Sequence, residues 1–320
     1  VNRIGEILGF LREKEEHVSG DYISSRLGLT RTAVWKYVKQ LRQMGYAIDT
    51  LKGKGYSLRT VPDRLYPWEV KRYLRAEFLG RTVHYQESIG STNALAFQLA
   101  LADAAEGTCV VAETQKAGKG RLQRKWFSPY GKNLYLSVIL RPHLHPSFVY
   151  PITFLSSLAV YDTLLQLGLK PTLKWPNDVL VNGKKICGTL LELSTEADLV
   201  RFVIVGIGLN VNMRKGEMPD EIRSKATSLL LETKIAYERA RVCGMLLNNL
   251  ETYYDFLRKH GPVKLVRTWE EKAEIKGKSL EVTQQGMVFK GVAEGIGDEG
   301  ALLLSDHGKV HRVIAGDVSF

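Results

Sequence analysis

Residues 172–193 read "TLKWPNDVLVNGKKICGTLLEL". The run begins as a strand, bends in a loop at Pro176, and continues as a hairpin turning at Asn182-Gly183, a dipeptide suited to the two positive-φ positions of a tight β-turn. Outward from this hairpin, "TCVVAETQ" (108–115), "NLYLSVIL" (133–140) and "LVRFVIVGIGLNVNM" (199–213) are further apolar strands. "TVHYQES" (82–88) is strand-like and leads to "GSTNALAFQLALADAAEG" (90–107), an amphipathic helix whose start carries Ser91, Thr92 and Asn93. A helix start offers free backbone N–H groups and short polar side chains to a ligand, and it also describes an ordinary N-cap. With a helix over 151–168, the centre of the chain reads as a mixed α/β domain.

The strand at 108–115 delivers "AGKGRLQRKWFSP" (117–129), with Lys119, Arg121, Arg124 and Lys125 close together and no acidic residue between Thr114 and Tyr161. Loops at strand ends commonly bind ligands. Glycines let backbone N–H groups approach an oxyanion, arginines supply forked donors for carboxylate or phosphate, and Trp126 offers a face for a base. Arg121, Arg124, Lys185 and a magnesium ion near Asp178 would together offset the repulsion between a carboxylate and a phosphate. The same residues also describe a solvated surface loop, or a nucleic-acid contact, with Asp178 a turn residue. Neither standard nucleotide fingerprint is present: "GIGLN" lacks the third glycine, and "GKGRLQRK" lacks the Gly-Lys-Ser/Thr ending.

The N-terminal sixty residues differ in character. Ile4, Ile7, Leu8 and Leu11 repeat at helical spacing, Ser19 caps a second short helix, and Thr30 opens "TRTAVWKYVKQLRQMG" (30–45), with Val34, Val38 and Leu41 as its buried stripe and Gly45 as its stop. A basic hairpin or wing about "GKG" follows in "YAIDTLKGKGYSLR" (46–59). Residues 28–60 hold seven Lys or Arg against Asp49 alone, a balance of +6 within a whole-chain charge of +11. This is the outline of a winged helix-turn-helix, with Arg31, Thr32, Lys36, Lys39 and Lys54 as the candidate DNA contacts. Trp35 is expected in the core or against phosphate. The prolines of "RTVPDRLYPWEV" (59–70) set a boundary near 60–66, before a short helix starting at Pro67.

At 320 residues the chain should form two or three domains. Cys109, Cys187 and Cys243 are widely spaced and fit no disulfide or zinc pattern, which suits a reducing compartment. No signal sequence opens the chain. The apolar stretch 149–169 is interrupted by Ser156, Ser157, Asp162 and Gln166, so a core helix of a cytoplasmic protein with no membrane partner is expected.

"STN" (91–93), "ETQKAGKGRLQRKW" (113–126), "KWPNDVLVNGKKICG" (174–188) and "GIGLNVN" (206–212) together resemble the ordered motif set of the biotin protein ligases. With the winged helix in front, the chain is similar to the bifunctional bacterial form that also represses biotin operons. The resemblance runs to the end of the chain, where "KGKSLEVTQQGMVFKGVAEGIGDEGALLL" (276–304) resembles the small SH3-like β-barrel of that family. It implies an α+β architecture with a winged helix at 1–62, a ligase domain at 67–272 and a β domain at 273–320.

By the resemblance, Ser91, Thr92, Asn93 and Gln115 hold the ureido group of biotin, and Lys119, Gly120 and Arg121 wrap its carboxylate. Lys185 stabilises the reacting oxygens, Trp126 packs on adenine, and Arg124, Asn177, Asp178 and Asn210 lie along the ATP and Mg2+ side. The implied partners are the biotin carboxyl carrier protein of acetyl-CoA carboxylase, operator DNA, and a second copy in a ligand-promoted homodimer. Two departures stand out: Lys119 replaces an arginine, and Gln123 stands where a glycine is common. No enzyme nucleophile is needed, so His84, His143 and His145 are expected to be structural. A lipoate ligase and an effector-binding regulator without turnover are the competing readings.

Overall fold

The computed structural model describes residues 3–13, 17–196, 199–284 and 286–319. Helices α1 (Arg3–Glu13), α2 (Gly20–Leu27) and α3 (Arg31–Gln43) pack around Ile7, Leu8, Ile23, Val34, Val38 and Leu41. Ser19 Oγ accepts the Tyr22 N–H at 3.1 Å and Thr30 Oγ1 the Ala33 N–H at 3.1 Å, so both helix starts are capped by the residues expected to do so. Strands β1 (Ala47–Leu51) and β2 (Gly55–Thr60) form the wing. Arg31, Thr32, Lys36, Lys39 and Lys54 are all exposed. Trp35 is not a core residue: it is 50% exposed on the same face of α3, with Lys39 Nζ 5.5 Å from its ring centre. Arg31 is ion-paired with Asp21 of α2.

Helix α4 (Pro67–Lys71) joins the winged helix to the centre. Its Glu69 is fully buried, and accepts from Arg12 Nη2 at 2.7 and 2.8 Å, Tyr46 Oη at 2.6 Å and Arg72 Nη1 at 3.1 Å. Trp68 Nε1 donates to Tyr46 Oη at 2.7 Å. A buried carboxylate is tolerated because four donor contacts replace its water.

The central sheet contains β3 (Val83–Gln86), β4 (Cys109–Ala112), β5 (Leu134–Leu140), β6 (Pro171–Lys174), β7 (Asp178–Val181), β8 (Lys184–Glu196) and β9 (Leu199–Leu209), with α5 (Thr92–Leu101) and α6 (Pro151–Gln166) between strands. Its spatial order is β3-β4-β5-β9-β8-β7-β6; only β3 and β4 are parallel. The hairpin at Asn182-Gly183 has φ of 50° and 72° there, as the sequence requires. Short helices α7 (Asp220–Arg223) and α8 (Leu229–Thr233) precede α9 (Arg239–Ala273), which is interrupted at Gly261 (φ +80°) before Pro262.

One face of the sheet packs on α6 and α9, and the other carries α5 over Val110, Ile139 and Ile204. The segment Pro146–Gln166 is long and apolar enough to cross a membrane, yet most of its apolar stretch is buried in this core.

Strands β10 (Ser279–Gln284), β11 (Met287–Ile296), β12 (Leu302–Asp306), β13 (Lys309–Val313) and β14 (Asp317–Ser319) form an antiparallel sheet ordered β13-β12-β11-β10-β14. Its inner residues Leu280, Val282, Ile296 and Leu302 belong to the same continuous core as α6 and α9. Trp175 Nε1 donates to Gly300 O at 3.1 Å across this joint. The C-terminal sheet is therefore fixed against the end of the central sheet that carries Trp175.

Candidate functional site

The alternation of a strand places Gly188, Leu190 and Glu192 of β8 on one sheet face, beside Gly208 and Gly206 of β9 and Tyr135 and Ser137 of β5. The glycines leave this floor bare, and larger neighbours fill it. A Cβ at Gly206 would sit 2.2 Å from Asn93 Oδ1, and one at Gly208 would sit 2.5 Å from the Trp126 ring. Both positions require glycine.

Over this floor lies a cavity of about 230 Å3. Ser91, Thr92, Asn93 and Gln115 line one end; Lys119, Gly120, Arg121, Arg124 and Trp126 form the covering loop; Asn177, Asp178, Lys185 and Asn210 line the other end. Every central-domain residue expected to meet biotin or ATP thus borders one space.

At the first end the polar atoms are tightly connected. Thr92 N–H donates to Gln115 Oε1 at 2.8 Å, and Thr92 Oγ1 lies 3.0 Å from the same oxygen. Ser137 Oγ is 2.8 Å from Thr92 Oγ1 and 2.6 Å from Asn93 Oδ1, while Asn93 Nδ2 donates to Glu192 Oε2 at 2.7 Å. Ser91 caps α5, accepting the Ala94 N–H at 3.5 Å. Capping and lining the cavity therefore coexist.

At the other end Lys185 Nζ lies 2.6 Å from Asp178 Oδ1 and 5.5 Å from the Trp126 ring centre. Arg121 Nη1 donates to Asn177 Oδ1 at 3.2 Å and to Gly316 O at 3.3 Å, and Arg124 is ion-paired with Asp317. The Asp317 carboxylate raises the Arg124 guanidinium pKa further above its ordinary value. Burial pushes the nearby Tyr150 phenol up to about 12, with the Arg121 charge opposing it. Burial also raises the Cys187 thiol, which makes it a packing residue.

Asn210 has its amide committed on both sides, to Thr227 O at 2.9 Å and from Asn133 Nδ2 at 3.2 Å, so it shapes the wall. Within the loop, Leu122 and Gln123 have φ of 54° and 59°. That explains why a glycine suits the position of Gln123.

Among the described residues, no group of three or more His, Cys, Asp or Glu could hold a metal ion. The two carboxylates that border the cavity, Asp178 and Asp317, are each held by a cation, Lys185 and Arg124.

Ser137, Glu192, Gly188, Gly206, Gly208 and Asp317 were not singled out from the sequence. A signal existed for some: Ser137 is the one serine in a buried strand of otherwise aliphatic and aromatic residues, and Gly206 and Gly208 share a face by their spacing of two. Asp317 has no local signal, because its partner Arg124 is 193 positions away.

Residues 85–210 match the Biotin/lipoate A/B protein ligase family, 3–57 an HTH domain, and 277–320 the Biotin protein ligase C terminal domain. A bifunctional ligase/repressor of Bacillus spizizenii is 39% identical over 97% of this chain and 95% of its own length. Its counterpart in Escherichia coli is 29% identical over 98% and 96%. The biotin protein ligase of Aquifex aeolicus, solved in complex with biotin and ATP, superposes with a TM-score of 0.64 at 28% identity, covering 75% of this chain and 98% of that one. With the winged helix, the glycine-floored cavity and the C-terminal sheet in one chain, this protein belongs to the bifunctional ligase/repressor family of biotin protein ligases.

Proposed function

We propose that the cavity takes biotin at its Thr92–Gln115 end and the α-phosphate of ATP at its Lys185 end. A carboxylate oxygen of biotin attacks the α-phosphorus, the bond to the β-phosphate oxygen breaks, and pyrophosphate leaves. The neutral amine of a lysine on the biotin carboxyl carrier protein of acetyl-CoA carboxylase then attacks the acyl carbon. AMP leaves, and the amine proton passes to solvent.

The observation that carries this reading is the division of one cavity into a polar, hydrogen-bonding end and a cationic end. Thr92, Asn93, Gln115 and Ser137 suit a ureido ring, which has two donors and an acceptor. They would strand polar groups against the dithiolane of lipoate, which has neither.

Lys119, Gly120 and Arg121 would hold the carboxylate, with Lys119 a point charge in place of a fork. Lys185, Arg121 and Arg124 would offset the charge gathering on the phosphoryl oxygens. Trp126 would carry the adenine, and Asn177 and Asn210 would border the nucleotide. Mg2+, arriving on the triphosphate, would neutralise phosphate charge, with Asp178 as its protein ligand once Lys185 turns to the phosphate. The loop at 117–126 would close over the adenylate and exclude water.

When acceptor is scarce, the retained adenylate promotes a homodimer, and the paired winged helices bind a biotin-gene operator through Arg31, Thr32, Lys36, Lys39 and Lys54. The reading assigns the chain to the cytoplasm, in keeping with three buried free thiols.

The test is intact-mass analysis of a carrier domain incubated with the full-length protein, biotin and ATP. A single biotinyl addition, lost when the acceptor lysine is replaced, is expected. Unmodified carrier would refute the ligase reading.

A further inference from the structure

Trp35 stands apart from the other four tryptophans. Trp68 and Trp126 are half-buried, Trp175 and Trp269 are buried, and Trp35 alone is exposed, at 50%. Single exposed apolar side chains are ordinary on a protein surface, so the position of this one decides what it means.

Helical spacing gives α3 two faces. Val34, Val38 and Leu41 are buried in the winged-helix core, of which Trp35 is no part. Arg31, Thr32, Trp35, Lys36 and Lys39 fall on the other side, and all five are exposed. Trp35 is one turn beyond Arg31 and Thr32 and one turn before Lys39, whose Nζ lies 5.5 Å from the indole ring centre. The largest apolar side chain of α3 thus sits in the middle of its cationic face.

In a helix-turn-helix the early turns of the second helix approach base edges, while flanking cations meet phosphates. The major-groove edges of the base pairs are hydrogen-bonding groups with one alkyl exception, the 5-methyl of thymine. Over guanine, cytosine or adenine an indole would strip polar edges of water and return at most one hydrogen bond. Over thymine it exchanges water for apolar contact on both sides.

We infer that Trp35 is a specificity-determining residue of the DNA-binding face: its indole packs on a thymine 5-methyl in the major groove, between cations that hold the phosphates. The inference rests on the operator-binding reading and deepens it, because Arg31, Lys36, Lys39 and Lys54 offer no such apolar contact.

The test is fluorescence-anisotropy titration of the full-length protein, with biotin and ATP, against three labelled duplexes. These are the biotin-gene promoter site, the same site with deoxyuridine in place of thymidine, and an unrelated sequence of equal length. Wild type should bind the uracil duplex at least about fourfold more weakly than the promoter, the worth of one buried methyl group. Trp35→Ala should bind the promoter at least about tenfold more weakly than wild type does, as expected for loss of a base contact. It should also bind the thymine and uracil duplexes alike, and the unrelated duplex as wild type does, which shows that the domain is still folded. If the thymine-to-uracil ratio survives in Trp35→Ala, another residue such as Thr32 reads the methyl and the inference is overturned. Equal weakening on all three duplexes, with that ratio unchanged, would place the indole on the backbone and overturn it too. So would a wild type indifferent to uracil. Wild type that does not prefer the promoter to the unrelated duplex would sink the operator-binding reading itself, and the role of Trp35 with it.

Discussion

Arg239 Nη2 lies 2.7 Å from Glu113 Oε2, and neither side chain reaches solvent. Arg239 Nε also contacts Asp63 Oδ2 at 2.9 Å, and Glu113 Oε1 accepts the Leu65 N–H at 3.0 Å. The segment that leaves the winged helix is thereby fastened to the strand end that delivers Gln115 and the cationic loop. Asp63 and Leu65 work as parts of the central domain.

Arg239→Ala should cost about 3 kcal/mol of stability, because it removes the closer of the two cations of the buried Glu113 and leaves only Arg64, 3.7 Å away. Urea unfolding followed by fluorescence checks this; a loss below about 1 kcal/mol would mean that the pair contributes little.

Lys185→Ala should slow adenylate formation by about 2.7–4 kcal/mol of barrier, by analogy with removal of a donor to a developing oxyanion. Stability should change little, since the Lys185 side chain is partly exposed near the start of β8. Single-turnover synthesis of biotinyl-AMP near the wild-type rate would exclude Lys185 from the chemistry.

Gly206→Ala and Gly208→Ala should separate the two ends of the cavity. The first drives a methyl into the Asn93 amide and should weaken biotin binding more than ATP binding. The second drives one into Trp126 and should weaken nucleotide binding more. Equal effects on both ligands would contradict the division of the site.

Removing residues 1–60 should abolish operator binding and leave carrier labelling largely intact. A cut at 65 should behave worse, since it removes Asp63 and the buried Leu65. In the full chain, Arg31→Ala should weaken specific binding by roughly 1–3 kcal/mol if the arginine leaves Asp21 to read a base, whereas Lys54→Ala should mainly lower the salt dependence. Gel shifts on the biotin-gene promoter at two salt concentrations distinguish these outcomes.

Much of this was legible in the sequence because it depends on near neighbours. The caps Ser19 and Thr30, the Asn182-Gly183 turn, and the strand that hands over the cationic loop are set by contacts a few residues apart. Of the two places open to Trp35, core or phosphate-facing surface, the structure excludes the core, a choice the sequence leaves open because an apolar side chain does not announce which face of a helix it occupies. The Glu69 joint, the Arg124–Asp317 pair and the core shared with the C-terminal sheet escaped notice for another reason. Each joins segments far apart in the chain, and charge alone does not say which opposite charge it meets. Gln123 was visible as a departure, but its positive φ required coordinates.

The most direct test of the account is exchange of labelled pyrophosphate into ATP by the full-length protein. Exchange should appear on addition of biotin, stay absent without it or with lipoate in its place, and fall to background in Lys185→Ala. Exchange that ignores biotin, or none under any condition, would contradict the assignment of this cavity to biotin activation.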